Sequence, residues 1–144
     1  MRLLLSLMLI TSFAFSQKSD QQLAYQYYIN GEYEKAISLY EELMNQRFSV
    51  IYYTPYFSAL LKTKSYKSAE ALAKRLVRKN PKSLTYSIEV GIAQEKAGDN
   101  RKAEKTYKKV YDKLDGRKTS VINIANTFFR HQMYDKALEV YLFS

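Results

Sequence analysis

The sequence predicts an all-α fold assembled from repeated antiparallel helix pairs. Three observations lead there. Four alanines, Ala36, Ala69, Ala103 and Ala137, recur at spacings of 33, 34 and 34 residues. Around each of them, apolar and aromatic residues recur at fixed offsets with the spacing of helix faces. A turn signal stands about five residues before each alanine, at Asn30-Gly31, Lys64-Ser65, Gly98-Asp99 and Gln132-Met133.

The recurring columns give each repeat the same physical plan. Twelve residues before the alanine stand Ala24, Phe57, Gly91 and Ala125, and nine before it Tyr27, Leu60, Gln94 and Phe128. Four residues after it stand Tyr40, Ala73, Tyr107 and Tyr141, and seven after it Leu43, Leu76 and Val110. A small residue before the turn and an alanine after it let two antiparallel helices approach closely, and large aromatics fill the space beside them. Leu23 and Tyr27 on one helix are expected to meet Ile37 and Tyr40 on the next. Gly31 and Gly98 suit the left-handed conformation that ends a helix at little cost.

Taken in chain order, helices are expected over 18–30, 34–46, 54–63, 67–79, 84–97, 101–115, 120–131 and 135–143. Thr54 is expected to cap the third helix with Pro55 in its first turn, leaving 48–53 irregular. Gly116 is expected to stop the sixth, with Thr119 or Ser120 capping the seventh.

Gly31-Glu32-Tyr33-Glu34-Lys35-Ala36, Tyr66-Lys67-Ser68-Ala69-Glu70 and Met133-Tyr134-Asp135-Lys136-Ala137-Leu138 resemble the turn and second helix of the tetratricopeptide repeat. Gly98-Asp99-Asn100-Arg101-Lys102-Ala103 has Asn100 in place of the aromatic, Pro81 matches the proline that closes a second helix, and Gln94 departs from the usual apolar residue. The resemblance implies a right-handed solenoid of about 3.5 to 4 repeats, covering 20–52, 53–82, 83–116 and 117–144. It also implies that first helices line an inner groove. That lining maps onto Gln21, Tyr25, Tyr28 and Ile29, then Thr54, Ser58, Leu61 and Lys62, then Ile88, Ile92, Glu95 and Lys96, and finally Ile122, Asn126, Phe129 and Arg130. Mixed aromatic, apolar and polar residues suit a peptide or protein segment with hydrophobic anchors. The carboxylate clamp of chaperone-binding relatives is not matched, since Gln21 and Tyr25 occupy its first positions.

The first sixteen residues read as an export signal. Arg2 is a short basic start, Leu3 to Phe15 is apolar, and Ala14-Phe15-Ser16 places small residues where a signal peptidase reads, with cleavage between Ser16 and Gln17. The ending Phe-Ser-Gln resembles signal peptides of the Bacteroidetes. A periplasmic, outer-envelope or secreted location is therefore expected. The apolar run is shorter than the roughly 20 residues a spanning helix needs. At the other end the fourth repeat stops inside its second helix, so Tyr141, Leu142 and Phe143 are expected to be partly uncovered. A longer protein or self-association through that edge would cover them.

Composition weighs against catalysis. There are no cysteines and one histidine among 144 residues, which removes thiol chemistry and cysteine-ligated metals and leaves little for a histidine site. No phosphate-cradling glycine loop, metalloprotease motif or nucleophile elbow occurs. His131 is expected to be solvated at its turn, and the carboxylates of Glu32, Glu34, Glu41 and Glu42 read as surface charge. No catalytic residue, metal or cofactor is expected.

The formal charge of +9 is concentrated. Residues 17–61 sum to −2, 62–118 to +10 and 119–144 to zero. Lys74, Arg75, Arg78 and Lys79, with Lys105, Lys108 and Lys109, form a candidate basic face. Part of it is helix-surface pairing, with Glu70–Lys74 and Glu104–Lys108 at helical spacing. As a binding face it would take acidic partners, an anionic membrane surface or a glycan. Nucleic acid is disfavoured by the export signal.

Overall fold

A computed structural model of the chain describes residues 20–114 and 116–142. The expected cleavage site, Ser16 and Gln17, and the end residue Phe143 lie outside the described residues. Among the described residues the structure is all-helical, with α1 (20–29), α2 (Tyr33–Gln46), α3 (Val50–Lys62), α4 (Tyr66–Lys79), α5 (Leu84–Lys96), α6 (Asn100–Tyr111), α7 (Lys118–Arg130) and α8 (Tyr134–Leu142). The chain divides into two compact units, one running through Thr63 and the other from Lys64 onward.

The strongest mark of repetition is a backbone conformation. Gly31, Lys64, Gly98 and Gln132 all have positive φ, at 78°, 59°, 84° and 61°. Each stands five residues before one of the four alanines. In three of these turns the amide beyond that residue reaches back five residues: Glu32 to the Tyr27 carbonyl, Asp99 to Gln94 and Met133 to Phe128. This is the reverse turn that satisfies the orphaned carbonyls at a helix end. Ala36, Ala69, Ala103 and Ala137 then donate to the carbonyls of Glu32, Ser65, Asp99 and Met133, closing the first turn of each second helix. All four alanine side chains are buried.

In the first unit, α2 packs on α3. The third helix begins four residues before the expected 54, because Ser49 caps it by accepting the Ile51 amide at 3.3 Å. Pro55 therefore lies inside α3, not in its first turn, and Thr54 is not a cap. An interior proline removes a hydrogen bond and costs about 3 kcal/mol; α3 offsets this by burying Tyr53, Tyr56, Phe57, Ala59 and Leu60. On α1, Ala24 is fully buried and its neighbour Leu23 is 37% exposed.

In the second unit, α5 is flanked by α4, α6 and α7, and α7 packs on α8. Being covered on three sides, α5 buries an unbroken run from Ile88 to Gln94. The sixth helix ends at Tyr111, short of the expected 115. Lys113 and Leu114 donate to Val110 and Tyr111, three residues back, so the chain tightens out of the α-helix before Gly116. The seventh begins at Lys118 after Arg117, with neither Thr119 nor Ser120 as cap.

Gln94 explains its own departure from the repeat pattern. It is buried, donates to Glu70 Oε1 at 2.9 Å and accepts from Thr106 Oγ1 at 2.8 Å, so one amide joins α4, α5 and α6. Both ends of the amide are satisfied, as a buried polar group requires.

Candidate functional site

The first unit holds an aromatic cavity of about 390 Å³. Gln21, Tyr25 and Tyr28 of α1 form one wall, and Ile51, Tyr52, Thr54 and Pro55 of α3 the other. Tyr40 of α2 contributes at the base, with Gln22 at the margin. Two side-chain hydrogen bonds tie the walls: Tyr28 Oη donates to Ser58 Oγ at 3.0 Å, and Tyr52 Oη to Gln21 Oε1 at 3.5 Å. The rings stand at aromatic contact distances, Tyr25 to Tyr28 at 6.4 Å and Tyr40 to Tyr52 at 6.5 Å.

Tyr40 is distinctive. Its side chain is buried, and its hydroxyl has no hydrogen-bond partner among the described residues. Burial, with the nearby Tyr28 and Tyr25 phenols, pushes its pKa above the ordinary 10.0. A neutral hydroxyl of this kind has unused capacity to donate and accept.

Of the groove residues expected in the first unit, Gln21, Tyr25, Tyr28 and Thr54 line this cavity, and Ser58 braces it. Ile29, Leu61 and Lys62 do not line it; Ile29 is 60% exposed. Tyr40, Ile51, Tyr52 and Pro55 were not expected there. Ile51 and Tyr52 fell in the stretch read as irregular, and the signal for them was Ser49, a helix-capping residue just ahead of an apolar run.

In the second unit the expectation needs correction. Ile88 and Ile92 are fully buried, at 0% exposure, and are core residues of the enclosed helix α5; they cannot line a groove. Glu95 is half-buried with its carboxylate 3.9 Å from Lys136 Nζ. On α7, Asn126 and Phe129 are exposed and Ile122 half-buried, with Phe129 edge-on to Tyr134 at 5.3 Å. Arg130 turns toward buried Glu89, at 3.7 Å. His131 is not solvated as expected: its side chain is 13% exposed and Nε2 lies 3.5 Å from the same Glu89 carboxylate. The carboxylate on α5 draws both into structural contact.

The basic residues divide. Lys74 pairs with Glu70 at 2.6 Å, as the spacing predicts. Lys108 pairs with Asp112 at 3.4 Å instead of Glu104, which reaches across to Lys136 at 3.0 Å. Lys74, Arg78 and Lys109 border one cavity, whereas Arg75, Lys79, Lys105 and Lys108 do not. Among the described residues no group of three or more acidic, histidine or cysteine side chains is placed to hold a metal. No described helix is long and apolar enough to cross a membrane.

Paired helices, buried alanine columns and four equivalent left-handed turns define a tetratricopeptide-like helical-repeat fold. Solved structures of MamA share it. A crystal structure of MamA is 16% identical with a TM-score of 0.59, covering 94% of this chain and 80% of that one. MamA from Desulfovibrio magneticus RS-1, residues 41 to the end, is 17% identical with a TM-score of 0.57, covering 88% and 72%. MamA of MSR-1 is 17% identical with a TM-score of 0.56, covering 90% and 75%. No protein-family model matches the sequence, and no curated protein matches it.

Proposed function

We propose that this chain is a non-catalytic protein-interaction module, exported to the cell envelope, that takes a peptide segment of a partner into the cavity between α1 and α3. The observation that carries the reading is the cavity itself, lined by tyrosines from three helices. Tyrosines supply large rigid contact area at small entropic cost, and the braced walls reduce what a partner must order. The occupant is an extended or helical segment with an aromatic or aliphatic anchor seated among the tyrosine rings. Export rests on the N-terminal sequence pattern.

The test is selection from a displayed random-peptide library on the immobilised chain. Peptides carrying a hydrophobic anchor are expected, with affinity little changed by salt. Tyr25→Ala, at a side chain 55% exposed, should weaken them at least about tenfold while leaving the thermal midpoint unchanged. Selected peptides indifferent to Tyr25→Ala would overturn the reading.

A further inference from the structure

A second cavity, of about 290 Å³, lies among α4, α5 and α6 in the other compact unit. Its floor is mainly apolar, with Val77, Leu84, Val90 and Val110 beside the hydroxyl-bearing Ser87 and Thr106. Its border is cationic, formed by Lys74 and Arg78 on α4 and by Lys109 and Lys113 on and just beyond α6. The two cations of each pair are four residues apart, one helical turn, so two short basic rows flank an apolar trough. No acidic residue lines it. Lys74 is neutralised by Glu70, while Arg78, Lys109 and Lys113 have no ion-pair partner among the described residues.

We infer that this trough is a second docking site, and that its occupant is an acidic amphipathic segment of a protein partner. That segment presents one aliphatic or aromatic side chain to the valine floor, with carboxylates about one turn to either side. The argument is complementarity of charge and shape. Cations gathered around an apolar floor repel one another and are relieved by incoming carboxylates. The floor is recessed among three helices, so a protruding side chain fills it. A flat lipid headgroup surface would meet the lysine and arginine tips and leave the floor empty. A nucleic acid would find no aromatic platform for its bases there. The site is separate from the tyrosine cavity, shares no residue with it and does not depend on it.

The probe is a fluorescent alanine-based helical peptide with one central leucine and a glutamate one turn to each side. It is titrated into the full chain and followed by anisotropy. Saturable binding is expected, weakening at least about tenfold between roughly 50 and 300 mM salt. It should also weaken at least about fivefold when the peptide leucine becomes alanine. The double variant Arg78→Glu/Lys109→Glu should abolish binding, and Tyr25→Ala should not affect it. Both altered residues are exposed, and unchanged helical circular dichroism will show that the variant folds. Val90→Ala, a milder change to the floor, should weaken the leucine peptide and not its alanine counterpart. The proposal is overturned by no binding, by equal binding of leucine and alanine peptides, or by capture of phosphatidylglycerol vesicles without capture of the peptide.

Discussion

Gly91 on α5 lies flat against the ring of Tyr107 on α6, so close that a β-carbon at residue 91 would overlap Tyr107 Cε1 and sit 2.7 Å from Cδ1. The glycine is therefore a space requirement, not a turn requirement, in the middle of a helix where it costs about 1 kcal/mol of propensity. Tyr107 is wedged from the other side as well, edge-on to Phe128 at 5.2 Å and beneath the Lys136 ammonium at 4.8 Å. Gly91→Ala should destabilise the chain by about 1–3 kcal/mol through overpacking. In urea unfolding, Gly91→Ala/Tyr107→Leu should cost less than the sum of the two single changes. Additive costs would mean the ring can move aside.

The four left-handed turns carry glycine in two repeats, at Gly31 and Gly98, and Lys64 and Gln132 in the other two, and the sign of a substitution should follow. Gly98→Ala should destabilise by about 1 kcal/mol, since φ of 84° disfavours a β-carbon although nothing crowds it. Gln132→Gly should stabilise by up to about 1 kcal/mol by releasing a strained non-glycine residue at φ of 61°. Chemical-denaturation midpoints of the two variants should move in opposite directions.

Glu70 predicts the acid limb of stability. Burial raises its pKa, but the Lys74 ammonium and the Gln94 amide more than offset that, and the net displacement is below the ordinary 4.5. The unfolded chain therefore binds this proton more readily than the folded one. The contribution is complete above the unfolded value and is lost as pH falls through the folded value. Thermal midpoints measured from neutral pH down to about pH 3 should show this loss, and Gln94→Leu should make it shallower.

Tyr40→Phe removes only a buried hydroxyl without a partner, so the free chain should be stabilised by up to about 1 kcal/mol. The phenols of Tyr40, Tyr107 and Tyr111 are all raised above 10.0, chiefly by burial. Folding thus favours their neutral forms, and that stability is lost as pH rises past 10. Tyr40→Phe should reduce the alkaline loss. Unchanged alkaline midpoints would show that Tyr40 does not contribute.

The proposed export makes a prediction about mass. Intact-protein mass spectrometry of the envelope fraction should find a chain beginning at Gln17. Recovery of the chain with Met1 still attached, from the cytoplasm only, would remove the envelope from the proposed function.

Helix pairing was legible because it depends on local and periodic features. Alanines spaced 33 and 34 residues apart, a turn signal before each, and aromatics at fixed offsets predict antiparallel pairs, and in the second unit α5 packs on α6 and α7 on α8. Even the odd positions followed the plan: Lys64 and Gln132, though not glycines, have positive φ like Gly31 and Gly98. Which residues are free to meet a partner was far less legible. Ile88 and Ile92 occupy positions equivalent to an exposed lining, yet α4, α6 and α7 enclose their helix and bury them. Tyr40 reads as core, and is buried, yet it contributes to the lining of a cavity and its hydroxyl has no hydrogen-bond partner among the described residues. His131 reads as a solvated turn residue until a carboxylate from α5 draws it inward. The basic stretch was plain as a sum of charge, but its division into paired lysines and a cationic border depends on which helices are neighbours. Periodicity sets how a helix faces its own partner, because that contact lies within one repeat. Exposure, ion pairing and cavity shape are set by segments distant in sequence, which one repeat's pattern does not encode.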